Sequence, residues 1–193
     1  RWIMNLENRN PMIYCISGKA GSGKSTVGAI IEREYQKLGL KTITSPYTKY
    51  LKQYIGTITG VNVTEENKPR ELLQKLSSDL IKKKLNNKDF FIRRQVEDIE
   101  FYSYFFDVVI IPDVRFPNEI EILKEKFPNV VSIRVERQNY KSKLTEEEMQ
   151  DITETALDKY NNYDYIITNE SRKELESDTL KIINNLKERW NYE

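Results

Sequence analysis

One glycine-rich segment constrains the fold of this chain more than any other feature. Residues 18–25 read GKAGSGKS and match the pattern G-x-x-x-x-G-K-[S/T] in full. The apolar run at 12–17 predicts a short buried strand before it, and apolar residues at helical spacing predict a helix over 26–38 after it. In this order, consecutive backbone N–H groups can wrap a polyphosphate at the helix N-terminus. The segment therefore predicts a nucleoside triphosphate site.

The residue types in this segment suggest separate roles around ATP and Mg²⁺. We expect the Lys24 ammonium to reach the β- and γ-phosphates and the Ser25 hydroxyl to ligate Mg²⁺. The alternative is a glycine-rich turn that matches by chance, which the flanking strand and helix disfavour. The residues expected to contact ATP are Gly18, Lys19, Ala20, Gly21, Ser22, Gly23, Lys24, Ser25 and Thr26.

Composition narrows the remaining function classes. The 193 residues fit one α/β domain, with residues 1–10 expected to be an extension because the sequence starts at Arg1. A net charge of +1 disfavours nucleic-acid binding driven by bulk charge, so small molecules are the expected partners. No apolar run is long enough to span a bilayer, and no membrane association is expected. The single cysteine, Cys15, cannot form a disulfide within the chain, which favours a reducing, cytoplasmic setting.

Strands alternate with helices along the chain. Apolar or β-branched runs at 41–45, 107–111, 130–135 and 163–168 predict four more strands, with helices between them. One helix, starting near Pro69, would bury Leu72, Leu73, Leu76, Leu80 and Ile81. Such alternation predicts a parallel sheet with right-handed crossovers. We therefore predict an α/β chain with the P-loop NTPase fold, a five-stranded parallel sheet flanked by helices, in a single domain over 1–193.

A second group of polar residues follows the third predicted strand. Residues 111–119 read IPDVRFPNE, which puts Asp113 at the carboxyl end of that strand, where ligands bind in open α/β sheets. Asp113 could hold Mg²⁺ through water or orient a substrate, and Arg115 could clamp phosphate oxygens. The alternative is a loop in which these two residues pair with each other or cap the next helix. Position alone does not separate the two interpretations.

Several segments resemble the bacteriophage-type deoxynucleoside monophosphate kinases, in the same order along the chain. The most specific is DVRFPNE at 113–119, and the others are PRELLQ at 69–74, SIRV at 132–135 with Arg137 after it, and ETALD at 154–158. With the glycine-rich loop they span roughly residues 12–170. The resemblance implies transfer of the ATP γ-phosphoryl group to a deoxynucleoside monophosphate (dNMP).

Two segments depart from the pattern of that family. Residues 76–79 read Leu-Ser-Ser-Asp where a Gly-Thr followed by an acidic residue is expected, so Asp79 would stand for the acidic position. Residues 169–171 read Asn-Glu-Ser where Asn-Asp-Gly-Thr is expected, beside the adenine of ATP. The first departure leaves the base preference of the acceptor open.

The resemblance and the residue chemistry together imply a site. A phosphate monoester acceptor needs cations rather than a strong base, so the absence of histidine is no obstacle. Arg115 is the first choice for the acceptor phosphate and Arg70 the second, with Gln74 and Asp79 on the acceptor side. Asp113 would position the metal together with Ser25. The expected catalytic residues are Lys24, Asp113, Arg115 and Arg137.

The polar stretch 138–158 is predicted to be a mobile lid that closes over the substrates and excludes water. It is basic at its start and acidic at 146–148. Arg137, at its entrance, is preferred over Arg134 as the lid arginine, because Arg134 could instead alternate outward on its strand as a solvated residue. The alternative for the whole stretch is a solvated surface helix with a capping box from Thr145 to Glu148.

Other function classes share parts of this pattern. A kinase of another small phosphorylated metabolite, such as phosphomevalonate, would have the same ATP half and a different acceptor pocket. A regulatory GTPase would need an Asn-Lys-x-Asp segment, which the sequence lacks. The oligomeric state, including a homodimer, stays open.

Overall fold

A computed structural model describes residues 6–64, 67, 69–138 and 140–189. Its centre is a five-stranded, fully parallel sheet, as predicted, and the strand order is β2-β3-β1-β4-β5. The strands are β1 (Met12–Ser17), β2 (Thr42–Thr44), β3 (Val108–Val114), β4 (Val130–Glu136) and β5 (Tyr165–Thr168). Among the described residues, no helix is long and apolar enough to cross a membrane.

Helices cover both faces of the sheet. The α-helices are α1 (Lys24–Lys37), α2 (Thr48–Thr59), α3 (Arg70–Gln74), α4 (Phe90–Tyr102), α5 (Pro117–Lys126), α6 (Glu146–Gln150), α7 (Ile152–Thr155) and α8 (Arg172–Arg189), and a π-helix spans Lys75–Lys84. One apolar core joins α1 and α8 to the sheet, and a second joins α4 and α5 to its other face. All six residues of β1 are buried, because helices cover the sheet on both faces.

The sheet edge at the carboxyl ends of the strands carries the polar segments. The glycine-rich loop follows β1 there, and β3 runs further than predicted, so that Asp113 lies inside the strand next to its last residue, Val114. Because β1 and β3 are neighbours, the two segments meet at one point of this edge. That meeting point defines the candidate site.

The helix predicted after Pro69 differs from expectation. It begins as α3 and continues as a π-helix, whose wider i→i+5 hydrogen bonding changes which residues share a face. Leu73 and Ile81 are buried in a small separate cluster with Leu51 and Ile55. Leu72 and Leu80 are exposed, so their predicted burial was wrong.

The stretch predicted to be a lid contains two short helices, α6 and α7, separated by Asp151. The capping box is confirmed: the Glu148 N–H donates to the Thr145 hydroxyl at 3.2 Å, and the Thr145 N–H donates to the Glu148 carboxylate at 2.8 Å. Neither helix contains a buried residue. The segment is anchored by Leu157, just after α7, which is buried in the second apolar core, and by the polar contacts described below.

Candidate active site

The glycine-rich loop is closely packed against its neighbours. At Gly18 (φ +152°) a Cβ atom would lie 2.4 Å from the Val135 carbonyl oxygen of β4, so no larger residue fits. At Gly21 (φ +77°) a Cβ atom would collide with the Tyr140 ring. The Asn169 amide, after β5, donates to the Ser22 carbonyl at 2.8 Å. Glycines are thus required both by backbone conformation and by close approach of other segments.

Lys24, the first residue of α1, is directed back over the loop. Its ammonium donates to the carbonyls of Gly18 at 2.6 Å and Lys19 at 2.9 Å. Burial, with Arg115 adding a repulsive positive charge, lowers the pKa of Lys24 to about 7, whereas Glu154 and Asp113 act in the opposite direction. Both cationic and anionic side chains therefore act on Lys24 beside the loop.

Two serine hydroxyls of the loop bear on nucleotide and metal binding. Ser25 is exposed at the start of α1, where a hydroxyl can join phosphate oxygens and water around Mg²⁺. The Ser22 hydroxyl is buried without a hydrogen-bond partner among the described residues. A buried hydroxyl normally has a partner, so Ser22 fits a loop that binds an anion. No cluster of three or more metal-ligating side chains occurs in the described ranges. The exposed Ser25 hydroxyl is an oxygen donor of the kind that fits Mg²⁺ shared with phosphates.

Asp113 orients the start of α2. Its two carboxylate oxygens accept the backbone N–H groups of Tyr47 at 2.8 Å and Thr48 at 3.0 Å. The carboxylate thus caps a helix, although α2 precedes β3 in the chain and is not the next helix. Each oxygen retains a second lone pair that can accept from a water molecule.

Arg115 contacts the glycine-rich loop through a residue that sequence reasoning did not select. The Arg115 guanidinium pairs with the Glu154 carboxylate and donates to the Thr153 carbonyl at 3.4 Å. The same carboxylate accepts the Ala20 N–H of the loop at 3.1 Å. Arg115 and Asp113 therefore have separate partners, so the alternative in which they pair with each other is wrong.

The backbone around Arg115 is held by a buried carboxylate. The Glu119 side chain, from the first turn of α5, accepts the N–H groups of Arg115 at 2.7 Å and Phe116 at 3.1 Å. Burial raises the pKa of Glu119 to about 7, with Asp113 adding to the rise, while these hydrogen bonds and Lys82 lower it. Glu119 thus fixes the loop that carries Arg115.

The two arginines near the lid differ in burial. Arg134 is only 8% exposed, so the alternative that it is an outward, solvated residue is wrong. Its guanidinium lies 3.9 Å from the Asp158 carboxylate. Arg137 is exposed, donates to the Gly21 carbonyl at 3.3 Å and lies over the Tyr140 ring, with 4.5 Å from its Cζ to the ring centroid. Both line a cavity of about 410 Å³ beside the loop, together with Tyr140 and Glu154.

The predicted acceptor-side residues lie on the helices after β2, away from the glycine-rich loop in sequence. Arg70 is exposed at the start of α3. The Gln74 amide donates to the Asp151 carboxylate between α6 and α7, which links this side to the predicted lid. Asp79 is exposed and pairs with Lys83 at 2.8 Å on the π-helix, which lowers the pKa of Asp79.

Sequence reasoning missed the functional contacts of four residues: Glu119, Tyr140, Glu154 and Asp158. Glu119 and the ETALD segment were noticed only as parts of motifs. For Glu154 and Asp158 the available signal was their charge, four residues apart in the ETALD segment. The Asp158 carboxylate accepts from the Lys19 ammonium at 3.0 Å.

Comparison with known families bears on this arrangement. A family model described as deoxynucleotide monophosphate kinase matches residues 40–180, well over half of the chain. The chain belongs to this family. It is therefore an enzyme, an ATP-dependent phosphotransferase. The match begins after the glycine-rich loop, so the family and the loop are independent indications of a kinase.

Solved structures agree with the fold. The APS kinase CysC of Mycobacterium tuberculosis, in complex with AMPPNP and APS, aligns with a TM-score of 0.55 and 12% identity over 92% of this chain and 98% of that chain. The Cys556Ala mutant of the same enzyme aligns with a TM-score of 0.53 and 12% identity over 92% of this chain and 97% of that chain. A shikimate kinase from Bacteroides thetaiotaomicron aligns with a TM-score of 0.48 and 18% identity over 91% of this chain and 98% of that chain. Among proteins with curated annotation, none matches this sequence significantly.

Proposed function

We propose that this kinase transfers the γ-phosphoryl group of ATP to the phosphate of a dNMP, giving ADP and a deoxynucleoside diphosphate. The observation that carries the proposal is the position of Arg115. Glu119 accepts its backbone N–H and Glu154 pairs with its guanidinium, and these contacts hold Arg115 beside the glycine-rich loop. A guanidinium there can bind a phosphate monoester next to the ATP phosphates. The family match supports a nucleotide as the acceptor.

In this proposal the chain places cationic groups around the two phosphates, and the acceptor phosphate needs no general base to attack. The loop N–H groups and Lys24 bind the ATP phosphates, and Arg115 binds the acceptor phosphate in line with them. Ser25, with Asp113 acting through water, would hold Mg²⁺, which neutralises charge on the transferring group when bound. Arg137 covers the group from the side of segment 138–158, the proposed lid.

Acceptor selection is assigned to the helices after β2. Arg70 is the second candidate for the acceptor phosphate, with Gln74 and Asp79 near the rest of the nucleotide. Gln74 supports this assignment because it already contacts Asp151 in the proposed lid. Closure of the lid and recognition of the acceptor would then be linked.

The experiment is an assay of acceptor-dependent ADP release with Mg-ATP, a coupled enzyme system, and a panel of dNMPs, NMPs and phosphomevalonate. We expect turnover with one or more dNMPs and little ADP release without an acceptor. Turnover with phosphomevalonate alone, or with no acceptor in the panel, would refute the acceptor assignment and leave the ATP site in place.

A further inference from the structure

Glu154 has an unusual position for a carboxylate in a kinase site. It belongs to α7, and its side chain is only 9% exposed. One of its oxygens accepts the Ala20 N–H of the glycine-rich loop at 3.1 Å, and the other pairs with the Arg115 guanidinium. A carboxylate therefore lies between the group assigned to the ATP phosphates and the group assigned to the acceptor phosphate.

The partners of Glu154 are the donors that a phosphate oxygen would use. An ionised carboxylate only accepts hydrogen bonds, as a phosphate oxygen does, and both seek backbone N–H groups and guanidinium. The neighbouring carboxylate, Asp158, pairs instead with Lys19 at 3.0 Å and lies 3.9 Å from Arg134. Of the two carboxylates, Glu154 alone joins the loop to Arg115.

The segment around Glu154 is held at its start. Asp151 accepts from the Thr153 N–H at 2.8 Å and from the Thr153 hydroxyl at 2.6 Å, and its other oxygen accepts from Gln74. The Thr153 carbonyl in turn accepts from Arg115. α7 itself contains no buried residue, but Leu157 just after it is buried in the second apolar core. These polar contacts and the burial of Leu157 together place Glu154.

We propose that Glu154 is a positioning residue of the transfer site. It holds the Arg115 guanidinium beside the glycine-rich loop, and its negative charge competes with the ATP phosphates for the Ala20 N–H. Removing the charge then has two opposite effects: ATP binds more tightly, and phosphoryl transfer slows because Arg115 is no longer held. The second effect rests on the proposed function, whereas the first requires only the ATP site.

The experiment compares Glu154→Gln with Glu125→Gln, which makes the same change of charge at an exposed position on α5. Isothermal titration calorimetry gives the dissociation constants of Mg-ATP and of inorganic tripolyphosphate without acceptor. The dNMP assay gives kcat at saturating substrates. For Glu154→Gln we expect about fivefold tighter binding of both ligands and a kcat about tenfold lower. For Glu125→Gln we expect values within about twofold of the wild type.

A shorter side chain gives a graded test of the two effects. Glu154→Asp keeps the negative charge near the site but shortens the side chain by one methylene, which withdraws the carboxylate from both Arg115 and the Ala20 N–H. We expect kcat to fall and ATP affinity to rise, but by less than in Glu154→Gln. Circular dichroism and thermal unfolding establish whether each variant is folded. If Glu154→Gln does not fold, the same measurements on Glu154→Asp test the proposal. Weaker or unchanged binding of ATP by folded Glu154→Gln refutes the competition, as unchanged kcat refutes the positioning. If the wild type phosphorylates no dNMP, the proposed function is refuted. The calorimetric measurements still decide whether Glu154 competes with the ATP phosphates for the Ala20 N–H.

Discussion

The glycine-rich loop and the helices of the acceptor side are built in different ways. The loop follows β1, a strand in which every residue is buried, and leads into α1, which contributes five residues to the buried interior. The π-helix Lys75–Lys84 contributes only Ile81, and α3 contributes only Leu73. One region is fixed by the main core, and the other is attached through a small satellite cluster.

This difference matches two requirements of a kinase, which must bind ATP and must also select and enclose its acceptor. ATP phosphates are common to many reactions, and a loop of backbone N–H groups on a firm core can bind them without specific side chains. The acceptor must be distinguished and enclosed, which favours a region that few buried contacts restrain. The site contacts of Arg115, Glu154 and Gln74 join the two regions.

The largest expected effect tests the loop. Lys24→Ala should lower kcat by about a thousandfold, because a buried cation on the transferring phosphates is lost. Thermal unfolding should change little, since the Lys24 ammonium contacts only two loop carbonyls. Lys37→Ala, on the exposed end of α1, is the control and should retain full activity in the ADP-release assay. Activity of Lys24→Ala within tenfold of the wild type would contradict the assignment of the loop.

The second prediction compares the two regions by stability. Ile110→Ala, in the sheet core, should lower the free energy of unfolding by about 4 kcal/mol, and Leu73→Ala, in the satellite cluster, by about 2 kcal/mol. Chemical denaturation of both variants measures the difference. Equal losses of unfolding free energy in the two variants would show that the acceptor side is as firmly packed as the sheet. The contrast between the two regions would then be wrong.

The third prediction concerns Arg115, the residue assigned to the acceptor phosphate. Arg115→Ala should lower kcat/KM for the acceptor about a hundredfold, because a guanidinium that binds the acceptor phosphate is removed. The dissociation constant of ATP should change less than tenfold. Arg70→Ala, at the exposed start of α3, should have a smaller effect on the acceptor. Unchanged acceptor kinetics for Arg115→Ala would mean that the acceptor phosphate binds elsewhere.

The smallest effect is a pH dependence of stability at the base of the Arg115 loop. The pKa of Glu119 is raised to about 7 in the folded protein, so the native state binds an extra proton between about pH 4.5 and 7. Stability from this group is present at low pH and is lost as pH rises through 7. Glu119→Gln should flatten this slope, by about 1–3 kcal/mol over the window, while retaining an acceptor for both N–H groups.

Urea denaturation at pH 5 and pH 8 measures the difference. The charged groups that act on Glu119 are Asp113 and Lys82, so the same experiment with Lys82→Gln should steepen the slope. Identical slopes for wild type and Glu119→Gln would show that this carboxyl does not titrate in the window.

Much of the fold could be predicted because its signals are local. The bounds predicted for β1 agree with the structure, and those of α1 agree within two residues at each end. Asp113 and Arg115 were predicted at the ligand-binding edge, where β3 and its loop place them. Periodicity failed at the π-helix, since the α-helical spacing assumed for Leu80 does not apply there.

By itself, the sequence determined the phosphate loop, the parallel sheet and the family, since strand, glycine and helix signals act over a few residues. Only the tertiary structure decided that Asp113 caps α2, that Arg134 is buried and that Glu154 joins Ala20 to Arg115. Glu154 lies 39 positions from Arg115 and 134 from Ala20. A charged side chain selects such partners by where the packed sheet places them, and no spacing along the chain encodes that choice.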